Sequence, residues 1–242
     1  MNIFWGELIG TLLLILLGNG VVANVLLSRS KGHGSGWIVI SAGWGFAVAI
    51  AVYVSGWASG GHLNPAVTLG CCLAGKTAWN LFPLYLLSQM LGAMLGAFLV
   101  WLSYYPHWKA TEDSTSKLWC FSTQPAIRKY RWNFLTEMVG TAVLMIGVFG
   151  IFDTHNQIGS GIGPYAVGIL IFSIGLSLGG PTGYAINPAR DLGPRIMHAL
   201  LPIAGKGKSD WRYAWVPILG PLCGSALGTF LYQWCIFPLR SL

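Results

Sequence analysis

The sequence predicts an all-α membrane protein with six transmembrane helices plus two re-entrant half-helices, arranged as two inverted repeats. Three observations lead there. The 242 residues are 54% hydrophobic and 9% charged, with a mean hydropathy of +0.61, whereas a soluble domain carries about 25% charged residues. Uncharged stretches long enough to cross a bilayer recur along the chain. The tripeptide Asn-Pro-Ala occurs twice, at Asn64-Pro65-Ala66 and Asn187-Pro188-Ala189, each time in a charge-poor stretch too long for one span.

The gaps between charges place the elements. Residues 8–28 carry no charge and make the first span. Residues 32–75 lack Asp, Glu, Lys and Arg over 44 positions, and the small-residue run SGWASGGHLNP divides them. Trp37 to Trp57 is a span; Pro65 to about Gly75 is long enough for half of one. A third span runs from about Leu81 to Ser103, and a fourth from Trp132 to Phe152 with Glu137 inside it. Residues 154–189 repeat the earlier pattern: a span at about Pro164–Leu178, the punctuation GGPTG, then Pro188 opening a second half-helix. Tyr213 to Phe237 is the sixth span. The 12 Trp, 11 Phe and 9 Tyr suit interfacial belts.

The halves repeat. Glu7-x-x-Gly10-Thr11 matches Glu137-x-x-Gly140-Thr141, and Gly92-x-x-x-Gly96 matches Gly224-x-x-x-Gly228. Three spans per half is odd, so the second half starts on the opposite side and the copies are inverted. The chain reads as one domain, 1–242, with halves at about 1–103 and 132–242 joined by a polar connector, 104–131. The Gly-x-x-x-Gly runs are packing surfaces for close helix crossing.

Asn is a preferred helix cap and Pro a preferred first helical residue. Each Asn-Pro-Ala therefore starts a helix, with the Asn64 or Asn187 oxygen on its own first turn and the amide NH2 free to donate outward. Two half-helices meeting N-terminus to N-terminus bring partial positive charge to the midplane. Irregular backbone at that depth is tolerated where it is buried in protein or lines a wet cavity. The carbonyls of Gly60, Gly61, His62 and Leu63, and of Gly183, Tyr184, Ala185 and Ile186, then form acceptor ladders. Central donors and flanking acceptors suit a polar, uncharged solute and repel cations.

On these residues the chain resembles the aquaporin (major intrinsic protein) family over essentially its whole length. The second motif, NPARDLGPR, is similar to the glycerol-facilitator branch, with Asp191 after the motif Arg190 and Arg195 four further on; Pro217 fits that branch too. The resemblance implies a selectivity filter of Trp44, Gly175, Tyr184 and Arg190. Arg190 donates to hydroxyls and repels cations, Trp44 and Tyr184 form an aromatic corner for a carbon backbone, and Gly175 leaves room. Familiar facilitators carry Phe where Tyr184 stands, so its hydroxyl is expected to bond permeant or water, or to shift the aperture, and Tyr184→Phe to change the glycerol-to-water ratio. Glu7 and Glu137 are implied supports for the re-entrant backbone, and Asp191 is expected to pair with a basic loop group. His62 is expected to line the pore through its carbonyl. The resemblance further implies glycerol, small neutral solutes and water as permeants, a homotetramer, and a place in the cell membrane with a cytoplasmic N-terminus. Loop charge alone argues for the reverse orientation, since twelve of the 14 Lys and Arg then lie outside.

Other classes have little support. The formal charge of +7 comes without a basic run or basic helix, so nucleic acid is not expected. The five Cys show no metal-ligand spacing, no cofactor is implied, and no Ser/His/Asp, paired-Asp or HExxH constellation suggests an enzyme. The remaining alternatives are an ion- or proton-coupled secondary transporter, since inverted repeats and broken helices also build those, and a mainly water-conducting aquaporin.

Overall fold

A computed structural model describes residues 2–236. Among them are ten α-helices: α1 (Asn2–Leu26), α2 (Trp37–Ser59), α3 (Pro65–Leu73), α4 (Phe82–Ser103), α5 (Tyr105–Ala110), α6 (Ser114–Trp119), α7 (Tyr130–Ile151), α8 (Gly163–Leu178), α9 (Pro188–Leu200) and α10 (Val216–Leu231). Four of these, α1, α2, α4 and α7, are long and apolar enough to cross a bilayer; α8 and α10, of 16 residues each, complete the six spans of the fold, and α3 and α9 are the half-helices.

Most bounds agree with the sequence reading to within two residues, and three departures go further. Helix α1 begins at Asn2, so Glu7 lies inside it, because the carboxylate is bonded internally and does not end the helix. The sixth span begins at Val216, because Tyr213 sits in a turn whose N–H donates to Asp210 O; a π-helical turn, Tyr232–Ile236, continues α10, and Phe237 lies outside the described residues. The connector is packed rather than simply polar. It holds α5 and α6, the latter capped by Asp113 accepting from Thr115 N and Ser116 N, and it buries Trp108, Cys120 and Phe121.

Helix α1 packs on α2 and α4, α7 packs on α8 and α10, and the two groups meet at α2–α8. The half-helices cross over: α3 lies on α10 and α9 on α4. Glycine sets the tightest approaches. A Cβ on Gly92 would lie 2.3 Å from Leu8 O, and one on Gly224 would lie 2.2 Å from Met138 O. Both contacts are with backbone, so α4 reaches α1, and α10 reaches α7, only at glycine. Large apolar side chains such as Phe46, Trp57, Leu87 and Phe230 face outward, which in water would be a liability and in lipid is the solvated surface.

Candidate functional site

The centre is built from two loops with one backbone design. Left-handed φ angles occur at Gly60 (88°), Gly61 (63°) and Leu63 (54°), and again at Gly183 (81°), Tyr184 (38°) and Ile186 (42°). Each pair is 123 residues apart. A left-handed L residue costs roughly 1–2 kcal/mol, so three side-chain-bearing residues hold strain here, Tyr184 at a position where the first loop has glycine. Asn64 and Asn187 then return to extended backbone and cap α3 and α9. Asn64 Oδ1 accepts from Ala66 N at 2.8 Å; Asn187 Oδ1 accepts from Ala189 N at 3.0 Å and Arg190 N at 3.1 Å.

Two buried carboxylates brace these loops. Glu7 accepts from His62 N (2.9 Å), Leu63 N (2.7 Å), Ser59 Oγ (2.7 Å) and Gln89 Nε2 (2.7 Å). Glu137 accepts from Ala185 N (3.0 Å) and Ile186 N (2.8 Å).

The Asn amides are not both free. Asn64 Nδ2 donates to Ile186 O and Asn187 Nδ2 to Leu63 O, each at 2.8 Å. Each amide thus keeps one N–H for the lumen, and the Leu63 and Ile186 carbonyls, expected in the acceptor ladders, each spend a lone pair on the opposite loop. An unmet carbonyl is costly at this depth, and the facing Asn is its donor.

Two cavities of about 260 Å³ each lie on either side of one constriction. One runs from Lys76, Thr77 and Phe152 past Asn64 and Asn187; the other opens among Val25, Trp119 and Gln124. Three residues line both: Trp44, Tyr184 and Arg190. The Arg190 guanidinium lies 4.1 Å from the Trp44 ring centroid. Its one side-chain hydrogen bond among the described residues, Nη1 to Phe121 O, is long at 3.5 Å, which leaves donors for a solute.

Gly175 is not in the lining. A Cβ there would meet Tyr184 Cζ at 2.8 Å and Ser41 Cβ at 3.1 Å, so the room expected for the permeant is filled by the Tyr184 ring. The Tyr184 hydroxyl is buried over Gly175, beside Ser41 Oγ, and neither makes a hydrogen bond of good geometry. The expectation that this hydroxyl bonds the permeant is therefore corrected: the ring faces the path and its oxygen faces the wall. His62 lines the first cavity; its ring stacks on Tyr85 at 4.5 Å between centroids and its Nδ1 lies 3.2 Å from Thr68 Oγ1.

Asp191 pairs with Arg195 of its own helix rather than a loop base, at 2.8 Å and fully buried. Asp191 also accepts from Thr123 N and Oγ1, while Arg195 donates to the Thr123, Ser209 and Asp210 carbonyls. The ion pair fastens the connector and the 209–210 turn to α9. Sequence reasoning missed several participants: Trp37, Ser41, Ser59, Gln89 and the Phe121 carbonyl. The 123-residue spacing held a usable signal for the strained backbone; the others come from distant positions with no motif.

Broken helices meeting at paired Asn caps, with a path through each side, define a pore-type membrane fold. The Major intrinsic protein family profile matches residues 2–232, and the chain belongs to that family as a multi-pass membrane protein. It is 58% identical to the "Probable glycerol uptake facilitator protein" of Thermotoga maritima, over 97% of this chain and 99% of that one. It is 56% identical to "Glycerol uptake facilitator protein 3" of Lactiplantibacillus plantarum, over 94% of each. The X-ray structure of the aquaglyceroporin from Plasmodium falciparum superposes with a TM-score of 0.89 at 31% identity, covering 99% of this chain and 98% of that one.

Proposed function

We propose that this chain is a passive channel for glycerol and other small uncharged solutes, passing some water and excluding ions and protons. The observation that carries the reading is the constriction shared by both cavities, with aromatic faces from Trp44 and Tyr184 and a cation at Arg190. Its aromatic faces suit a carbon backbone and its guanidinium suits hydroxyls; a cation meets Arg190 and then two helix N-termini. The names of the similar facilitators agree with it. Trp44, Tyr184 and Arg190 act as the filter, with Gly175 as the seat of Tyr184. Asn64-Pro65-Ala66 and Asn187-Pro188-Ala189 form the central station, and the loop carbonyls not spent on Asn amides guide the solute. Glu7, Glu137 and Asp191 are supports, not carriers. The bonds that Glu7 and Glu137 accept from loop backbone favour a channel over a proton-coupled transporter. The protein is not an enzyme. Its halves, 1–103 and 132–242, act as inverted repeats, and it works as a homotetramer in the cell membrane with the N-terminus cytoplasmic.

Stopped-flow light scattering on proteoliposomes tests this. Glycerol flux that is linear in concentration, insensitive to ion gradients and weakly temperature-dependent is expected. Saturable, gradient-driven uptake would instead make it a transporter, and water flux without glycerol flux a water-selective aquaporin.

A further inference from the structure

We propose that Trp37 is a positioning residue that sets where the Tyr184 ring stands, and through it how wide a solute the constriction passes. The inference rests on the channel reading above.

Trp37 is the first residue of α2, and its indole reaches across to the end of α8. There Nε1 donates to Gly175 O at 2.9 Å. The last carbonyls of a helix have no partner within it, and in a membrane such groups need a donor from elsewhere. Trp37 supplies one, and the bond fixes the indole against the turn on which Tyr184 leans. The two rings meet edge to face, with centroids 5.8 Å apart and planes at 78°, an arrangement favoured by ring quadrupoles.

The Tyr184 ring's other polar neighbour is Ser41, which its hydroxyl meets only in poor geometry. Its hydroxyl is buried without a bond of good geometry. Its backbone is left-handed, at φ 38°, which L residues disfavour. Packing is what remains to fix the ring: Gly175 beneath it, Gly179 beside it, and Trp37 at its edge. A Cβ on Gly179 would lie 2.6 Å from Tyr184 Cδ1 and 2.7 Å from Trp37 Cζ2, so both rings occupy space that only glycine leaves. Trp37 and Gly179 line the cavity that opens among Trp119 and Gln124, one layer behind the constriction.

The test is Trp37→Phe, which keeps a ring and deletes the N–H. Water, urea and glycerol fluxes are measured in proteoliposomes and divided by channel number. The expected result is a change of about threefold or more in the glycerol-to-water ratio, the scale of one lost hydrogen bond or aromatic contact. A fold-only role would lower all fluxes together, and an unchanged ratio overturns the proposal. In a Tyr184→Ala background, Trp37→Phe is expected to leave the ratio where Tyr184→Ala put it, since the ring through which it acts is gone; an equal shift in both backgrounds overturns it. If Trp37→Phe yields no folded channel, Gly179→Ala presses on the same packing from the other side, with the same expected shift and the same overturning result. Unmodified protein that passes no glycerol would sink the channel reading and this inference with it, whereas an unmodified channel indifferent to Trp37 sinks this inference alone.

Discussion

The loop at 60–64 and the loop at 183–187 hold left-handed backbone at matching positions and lean on matching glutamates, yet they carry different burdens. In the first, Glu7 accepts four hydrogen bonds, and Ser59 and Gln89 join the two loop N–H groups around it. Helix α3 then runs nine residues without a charge. In the second, Glu137 accepts from two loop N–H groups, and α9 follows with Arg190, Asp191 and Arg195 in thirteen residues. The first loop is held by neutral donors around an acid. Behind the second, an ion pair ties the helix that follows it to the connector, and this region presents the aromatic and the cation that face the path. One backbone serves both because the scaffold requires only N–H groups for an acid and an Asn for a cap.

Six substitutions probe that contrast, from the largest expected effect to the smallest. Asp191→Ala leaves Arg195 buried without its partner, a loss of about 3–5 kcal/mol, so thermal unfolding in detergent should show little folded protein; a melting temperature close to the parent would break the claim that the ion pair holds α9 to the connector. Glu7→Gln replaces one acceptor oxygen with an NH2 facing donors, at about 3 kcal/mol, and Glu137→Gln does the same with fewer partners, at about 2 kcal/mol, on the scale of bonds to charged groups. The order of their melting temperatures checks whether the first loop depends more on its acid. Unchanged glycerol flux in Glu137→Gln, together with loss of a pH-dependent flux, would instead point to proton coupling. Arg190→Ala should change the ratio of glycerol to water flux by about tenfold, the effect of losing one charge-assisted hydrogen bond, and should admit cations; His62→Phe in the first loop should move that ratio far less. Tyr184→Phe should leave the ratio within about twofold, because a buried hydroxyl without a good partner contributes little. A larger shift would mean that the oxygen turns toward the solute.

Much of this was legible in the sequence because a bilayer imposes few choices. Uncharged lengths gave the spans, and two Asn-Pro-Ala motifs gave the half-helices, since a cap followed by Pro is a local instruction. The identity of the glutamates' partners was not local: Gln89 lies 82 residues from Glu7. The direction of the Tyr184 hydroxyl depends on the missing Cβ of Gly175 and on Ser41, three positions that share no motif. The Asn amides read as free because capping chemistry says nothing about what faces the cap. Residues 104–131 read as polar because charged positions hid Trp108 and Phe121, which the fold buries.

The exchange between Asn64 and Asn187 also bears on how the protein is made. The bonds cross 122 and 124 residues of chain, and α3 lies against α10, the last span. Until the second half is made, the first loop has Glu7 for its N–H groups and α3 has α4 beside it, but Leu63 O lacks its Asn187 donor and α3 lacks the wall that α10 supplies. The first half by itself therefore leaves one carbonyl unmet and one side of its half-helix uncovered, and residues of the second half supply both. Synthesis is vectorial, but the centre of the pore is finished only when both halves are present.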